Sequence, residues 1–262
     1  MFEMDFAYTV AGFVVGAIVG LTGVGGGSLM TPLLVLMFGI HPSVAVGTDL
    51  LYAALTKAGG TLAHSLKGTI DWTITRRLAS GSIPSALITL WAVHTYAPGG
   101  IEGATSVISV ALGVALVLTA AAILLRSKIQ AFSRRVMGDT PNPNRVRNLT
   151  IITGVVLGAL VSISSVGAGA LGVTALFFLY PGLPTVRIVG SDIAHAVPLT
   201  AVAGLGHMAL GTVDWLLLGS LLIGSLPGIW LGSHVSTRVP DRVLRPILAT
   251  TLVLVGAKLI TH

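Results

Sequence analysis

From Met1 to Thr56 the chain carries no lysine or arginine, and only 9% of its 262 residues are charged. A soluble domain has about 25% charged residues. With a hydrophobic share of 53%, too little charge remains to cover a water-facing surface. Lipid is the solvent in which such a composition is stable. The expected fold class is therefore an all-α integral membrane protein, multi-pass and placed in the cell (inner or plasma) membrane. The lipid bilayer is its first partner.

A bilayer core of about 30 Å takes roughly 20 helical residues. Long apolar segments of that kind are 43–66, 72–95, 101–125, 184–208, 214–236 and 241–260. Two further stretches are interrupted. Residues 6–21 and 28–39 flank Thr22-Gly23-Val24-Gly25-Gly26-Gly27, and residues 149–162 and 170–180 flank Ser164-Ser165-Val166-Gly167-Ala168-Gly169. Glycine lowers helix propensity by about 1 kcal/mol per residue, so the backbone is expected to open there. Short arms on either side fit a tilted hairpin or a re-entrant pair. The stretch 126–148 holds Arg126, Lys128, Arg134, Arg135, Arg145 and Arg147 with Pro141 and Pro143. It reads as a basic cytoplasmic linker between residues 1–125 and residues 149–262.

Those two parts repeat one another at a constant shift of 143 positions. Gly47-Thr48-Asp49 matches Gly190-Ser191-Asp192, and His64 matches His207. Gly68-Thr69-Ile70-Asp71-Trp72 matches Gly211-Thr212-Val213-Asp214-Trp215, and Gly81-Ser82-Ile83-Pro84 matches Gly224-Ser225-Leu226-Pro227. The charges do not repeat. Lys67, Arg76 and Arg77 correspond to Leu210, Gly219 and Ser220, and Arg187 corresponds to Val44. Basic residues gather in cytoplasmic loops, so equivalent turns are expected on opposite sides of the membrane. The chain then consists of two inverted-topology repeats, each a short broken or re-entrant helix pair plus three full transmembrane helices, with both termini outside. The opening stretch begins without a positive region and reads as a retained segment. Inverted repeats with broken helices are the architecture of secondary transporters, whose substrate sits near the midplane.

The run from Gly20 through Thr22, Gly25, Gly26 and Gly27 to Ser28, then Pro32, Ala45-Val46-Gly47-Thr48, His64 and Gly68, resembles the sulfite exporter TauE/SafE family. A weaker copy follows in the second part, so the resemblance covers essentially the whole chain. It implies a secondary transporter of small sulfur-containing anions, such as sulfite, organosulfonates or thiosulfate.

An anion needs donors that are cheap to desolvate, and free amides at helix N-termini supply them. The candidate substrate-binding residues are Thr22, Gly25, Gly26, Gly27 and Ser28 at the first break, and Ser164, Ser165, Gly167 and Gly169 at the second. Thr48 and Ser191, beside the two buried acids, and Lys57 complete the set. The alternative for the glycines is close helix packing. Asp49 and Asp192 lie well inside apolar segments, where a carboxylate costs about 2.5–3.5 kcal/mol on insertion scales. They are candidates for carrying a coupling proton or for a cation site, against the alternative of structural acids bonded to an opened helix end. Lys57 is eight residues after Asp49, on the same helix face; it could draw in the anion, neutralise Asp49, or snorkel to the inner interface. His195, three residues after Asp192, is a third proton candidate or a structural bond to that acid. His64 and His207, near segment ends, read as caps or as contacts across helix interfaces, and Asp71-Trp72 and Asp214-Trp215 as interfacial anchors with Asp at a helix N-terminus.

Basic net charge without an aromatic-basic face does not point to nucleic acid. No cysteine is present. No metal cluster, cofactor motif, P-loop, HExxH helix or Ser–His dyad with an oxyanion turn is visible, so no enzyme is expected. A passive anion channel shares all these sequence features and stays open as an alternative, as does a homo-oligomer.

Overall fold

The computed structural model describes residues 6–22, 27–97, 100–137, 142–235 and 241–261. All regular structure among them is helical: α1 (Phe6–Thr22), α2 (Gly27–Phe38), α3 (Pro42–Leu66), α4 (Trp72–Tyr96), the single turn α5 (Gly100–Gly103), α6 (Thr105–Met137), α7 (Pro143–Ser164), α8 (Ala170–Leu179), α9 (Thr185–Ala209), α10 (Trp215–Val235) and α11 (Asp241–Thr261).

Four stretches among the described residues are both long and apolar enough to cross a membrane: Thr105–Ser133, Pro143–Ser164, Thr185–Ala209 and Trp215–Gly232. α3 and α4 have 25 residues each, about 37 Å of helix, but are more polar. Leu87, Ile88, Leu118, Val156, Trp230 and Leu254 are exposed, as expected of side chains that meet lipid rather than water.

One expectation needs correction, the two short arms 149–162 and 170–180 around the second break. Much of the polar stretch 126–148 is helical: α6 continues to Met137, and α7 starts at Pro143. Asn142 caps α7 by accepting from the amides of Asn144 and Arg145 at 3.0 and 3.4 Å, with Pro143 at the first position, where its missing N–H is harmless. α7 therefore has 22 residues, about 33 Å, and the second broken pair is one long helix followed by a short one. In the first pair, α1 has 17 residues and α2 has 12.

The turns before α4 and α10 are built alike. Asp71 accepts from the amides of Thr73 and Ile74, and Asp214 from those of Leu216 and Leu217. Each caps its helix as the sequence predicts, with Trp72 and Trp215 exposed beside it.

At the centre α3 packs against α9. α4 leans on α9 and on α7, α10 on α3 and on α1, and α6 joins α8 to α11. The long-range contacts are reciprocal. Gly12 and Gly16 of α1 let that helix meet the backbone of Leu221 and Ser225 in α10. Gly154 and Gly158 of α7 do the same against Leu78 and Ser82 in α4, the repeat partners of Leu221 and Ser225. From the other side, Gly224 meets Thr9 and Phe13 while Gly81 meets Ile151 and Val155. Small residues at four-residue spacing allow such backbone approach. At the core, Gly47 lies against Thr212 and His207, and Gly190 against Thr69 and His64. Each histidine holds its own turn, with Nδ1 2.8 Å from the hydroxyl of Thr69 or Thr212. His207 also spans to α7, its Nε2 2.9 Å from the Ser162 carbonyl.

Candidate functional site

The break between α7 and α8 is an opened backbone. Ser165 has φ +57°, and Gly167 and Gly169 have φ +125° and +139°, values that favour glycine for lack of a Cβ. Ser164 holds the bend: its hydroxyl donates to the Leu160 carbonyl at 2.7 Å and accepts from the Val166 amide at 3.2 Å. Among the described residues, the amides of Gly167, Ala168, Gly169, Ala170 and Leu171 find no hydrogen-bond acceptor. The first internal bonds are Gly172 N–H to Gly167 O and Val173 N–H to Gly169 O, at 3.1 and 2.8 Å. The start of α8 thus offers a cluster of free donors at the positive end of a helix dipole.

Lys57 reaches this break from α3. Its ammonium donates to the Ala168 carbonyl at 2.6 Å, and it lies within electrostatic reach of Asp49, Asp192 and His195. It does not snorkel outward.

Both acids are buried. The Thr31 hydroxyl of α2 donates to Asp49 Oδ2, while Oδ1 has no partner. The Ser165 hydroxyl lies close enough to influence Asp49 but makes no hydrogen bond of good geometry. Asp192 differs: neither of its oxygens has a partner. Its Oδ1 faces the Cα of Gly172 in the first turn of α8, so closely that a Cβ there would overlap it.

His195 does not bond Asp192. Its Nε2 lies 2.8 Å from the Ser82 hydroxyl of α4, and its Nδ1 has no partner. A buried Ser–His contact thus exists that the sequence did not disclose. No third group orients that imidazole as it would in a triad. Tyr52 occupies the position matching His195 and faces Ser225, the match of Ser82.

Asp49, Lys57, Asp192, His195, Ser165 and the 167–171 backbone therefore come together. Thr48 and Ser191 work elsewhere. Thr48 Oγ1 accepts the Asp214 amide at 3.0 Å, and Ser191 Oγ accepts the Asp71 amide at 2.8 Å, so these hydroxyls pin the turns before α10 and α4. Of the first break, Gly25 and Gly26 lie outside the described residues. Thr22 ends α1, and Gly27 and Ser28 open α2. Thr31, Ser82, Tyr52 and the Ala168 carbonyl were missed from sequence. Ser82 was signalled by its repeat block, whereas Thr31 had no signal. Among the described residues no group of three His, Cys, Asp or Glu side chains could hold a metal ion.

The family model described as "Sulfite exporter TauE/SafE" matches residues 8–259. The probable membrane transporter protein YjnA of Bacillus subtilis (strain 168) is 40% identical over 257 residues, which is 98% of this chain and 100% of that protein. YunE of the same organism, also named a probable membrane transporter protein, is 26% identical over 96% of this chain and 95% of its own length. A probable membrane transporter protein of Xylella fastidiosa (strain 9a5c) is 26% identical over 87% of this chain and 83% of its own length. No solved structure gives a significant match.

Proposed function

The chain belongs to the sulfite exporter TauE/SafE family of membrane transporters, and from that membership we propose that it moves small sulfur-containing anions across the cell membrane as a secondary transporter working by alternating access. The anions are of the sulfite, organosulfonate or thiosulfate class. The observation that carries this reading is the Lys57 ammonium at the Ala168 carbonyl, beside free amides at the start of α8. A cation and unpaired N–H groups are what an anion needs in exchange for its hydration shell. Asp49, Asp192 and His195 beside them are the groups through which a proton would be coupled to that movement.

Two repeats of opposite topology are part of the proposal. Their support is the charge asymmetry of matched turns together with the reciprocal packing of α1 on α10 and α7 on α4. Such a pair can rock around a shared central site. The relatives' names as transporters favour this over catalysis.

The test is flux into liposomes holding the purified protein. Sulfite, methanesulfonate and thiosulfate are offered with and without a pH gradient. Uptake of at least one, above that of empty liposomes and accelerated by a gradient, is expected. Absence of uptake of all three under every gradient removes the reading.

A further inference from the structure

The central cluster holds an uneven set of ionisable groups. One ammonium, Lys57, bonded to the Ala168 carbonyl, lies within electrostatic reach of two buried carboxyls, Asp49 and Asp192, with no direct ion pair to either. The other titratable neighbours are Tyr52, on α3 near Asp49, and His195, on α9 near Lys57. Among the described residues, α2, α4, α10 and the turn after α7 bring the hydroxyls of Thr31, Ser82, Ser225 and Ser165. α8 brings backbone alone. With the imidazole and the phenol neutral, the described residues count one cation against two acids.

Uncompensated charge away from water is costly, and a buried charge persists only when paired. In the empty site Lys57 can neutralise one carboxylate, so one acid must keep its proton. Hydrogen bonding separates the two. Asp49 accepts from Thr31 and has the Ser165 hydroxyl nearby, so its ionised form has a donor. Asp192 has none on either oxygen and lies against Gly172. An ionised group without a single donor is the more costly species, which leaves the proton on Asp192.

We propose that the site carries one monovalent anion together with one proton, with Asp49 the acid that ionises when the anion leaves and Asp192 protonated throughout. This rests on the transport reading above and adds its charge class and stoichiometry.

An arriving anion takes the Lys57 ammonium and the free amides of Ala168 to Leu171 as its partners. The Asp49 carboxylate then loses its counter-charge. A proton from the entry side adds to Oδ1, the oxygen without a partner, and forms the neutral acid. On the exit side the anion departs, that O–H bond breaks, and the proton leaves with it, while the electron pair stays on Asp49 to face Lys57 again. The cluster has zero net charge both empty and loaded. Hydrogensulfite or a sulfonate satisfies this count. A divalent anion leaves one negative charge uncompensated.

The experiment uses the full-length protein in liposomes, with methanesulfonate as the monovalent probe and thiosulfate as the divalent one. Anion uptake and internal pH are followed while a potassium diffusion potential is set to either sign. We expect one proton per methanesulfonate, a rate indifferent to the potential, and thiosulfate uptake at least about tenfold slower. Whatever its rate, Asp192→Asn keeps one proton per anion. Whatever flux remains in Asp49→Asn carries no proton and follows the potential. Methanesulfonate flux that follows the potential in the unaltered protein overturns the stoichiometry while leaving the transport reading intact. Coupling lost in Asp192→Asn but kept in Asp49→Asn overturns the assignment of the two acids. If no sulfur anion is moved at all, the transport reading falls and the stoichiometry falls with it. Should Asp49→Asn fail to insert, the potential series on the unaltered protein still decides.

Discussion

The ammonium of Lys57 and the carbonyl of Ala168, 111 residues apart, are 2.6 Å from one another, and this contact ties α3 to the opened turn ahead of α8. A cation bound to a carbonyl that an anion could displace is well suited to a carrier. Lys57→Gln keeps much of the length and a donor but removes the charge. It is expected to raise the concentration for half-maximal anion uptake by about tenfold or more, since hydrogen bonds to charged groups contribute about 1.5–3 kcal/mol. Lys57→Arg should recover part of the loss. Uptake curves for the three proteins check this, and an unchanged curve for Lys57→Gln would remove Lys57 from the site.

Gly172 has no room for a side chain, because a Cβ would overlap Asp192 Oδ1. Gly172→Ala should destabilise the protein by about 1–3 kcal/mol, as overpacking does, and slow transport. Shortening the opposing residue in the double variant Gly172→Ala/Asp192→Ala should restore the melting temperature in detergent. A double variant no more stable than the single one would show that the two positions do not meet.

Gly169 stands at φ +139°, a region that L-residues avoid. Gly169→Ala is expected to cost about 1–3 kcal/mol of strain and to narrow the approach to the free amides. The expected result is inserted protein with reduced anion flux, read by uptake alongside fluorescence-detected size exclusion. Full flux would place the anion away from this turn.

The matched glycines predict matched effects. A Cβ at Gly158 would lie 2.7 Å from the Ser82 Cα, and one at Gly16 would lie 2.8 Å from the Ser225 Cα. Gly158→Leu and Gly16→Leu should each lower the melting temperature, by similar amounts, because each pushes apart one of the two equivalent helix pairs. A large effect at one and none at the other would mean that the pairs do not carry equal weight.

Sidedness can be read directly, since the chain has no cysteine and any introduced thiol is the sole target. Position 140 should be shielded from an impermeant thiol reagent in intact cells, and residues near both termini should be labelled. Labelling at position 140 would reverse the orientation drawn from the basic residues.

Much of the helical layout was legible because an apolar run of bilayer length has one economical conformation. The errors fell where polar residues are helical. α7 begins at Pro143 because Asn142 closes its first turn, and a cluster of Asn, Pro and Arg is otherwise the signature of a loop. α6 runs on past Arg126, whose guanidinium lies 4.2 Å from the centre of the Phe177 ring, a cation–π contact that gives a basic residue a place at the end of an apolar helix. At the site, the two acids and Lys57 stood out because charge in lipid is rare. Their partners did not. Thr31 and Ser82 both come from other helices: Ser82 was marked by its repeat block alone, and Thr31, a hydroxyl in an apolar helix, carried no mark until the residue across from it was known. The match of Tyr52 with His195 was likewise hidden, because the repeat preserves the position and changes the chemistry.

The crossing of α1 onto α10 has a consequence for how the protein is made. Roughly 190 residues separate the end of α1 from the start of α10. At about 5–20 residues per second, synthesis of that length takes on the order of ten to forty seconds. For that interval α1 waits without the surface it was shaped to meet, its glycine face turned to lipid or to the insertion machinery. α7 has its partner α4 already in place when it emerges. Assembly of the two equivalent helix pairs is therefore unequal in time: α7 can dock on α4 as it is made, whereas α1 docks only once α10 has followed it.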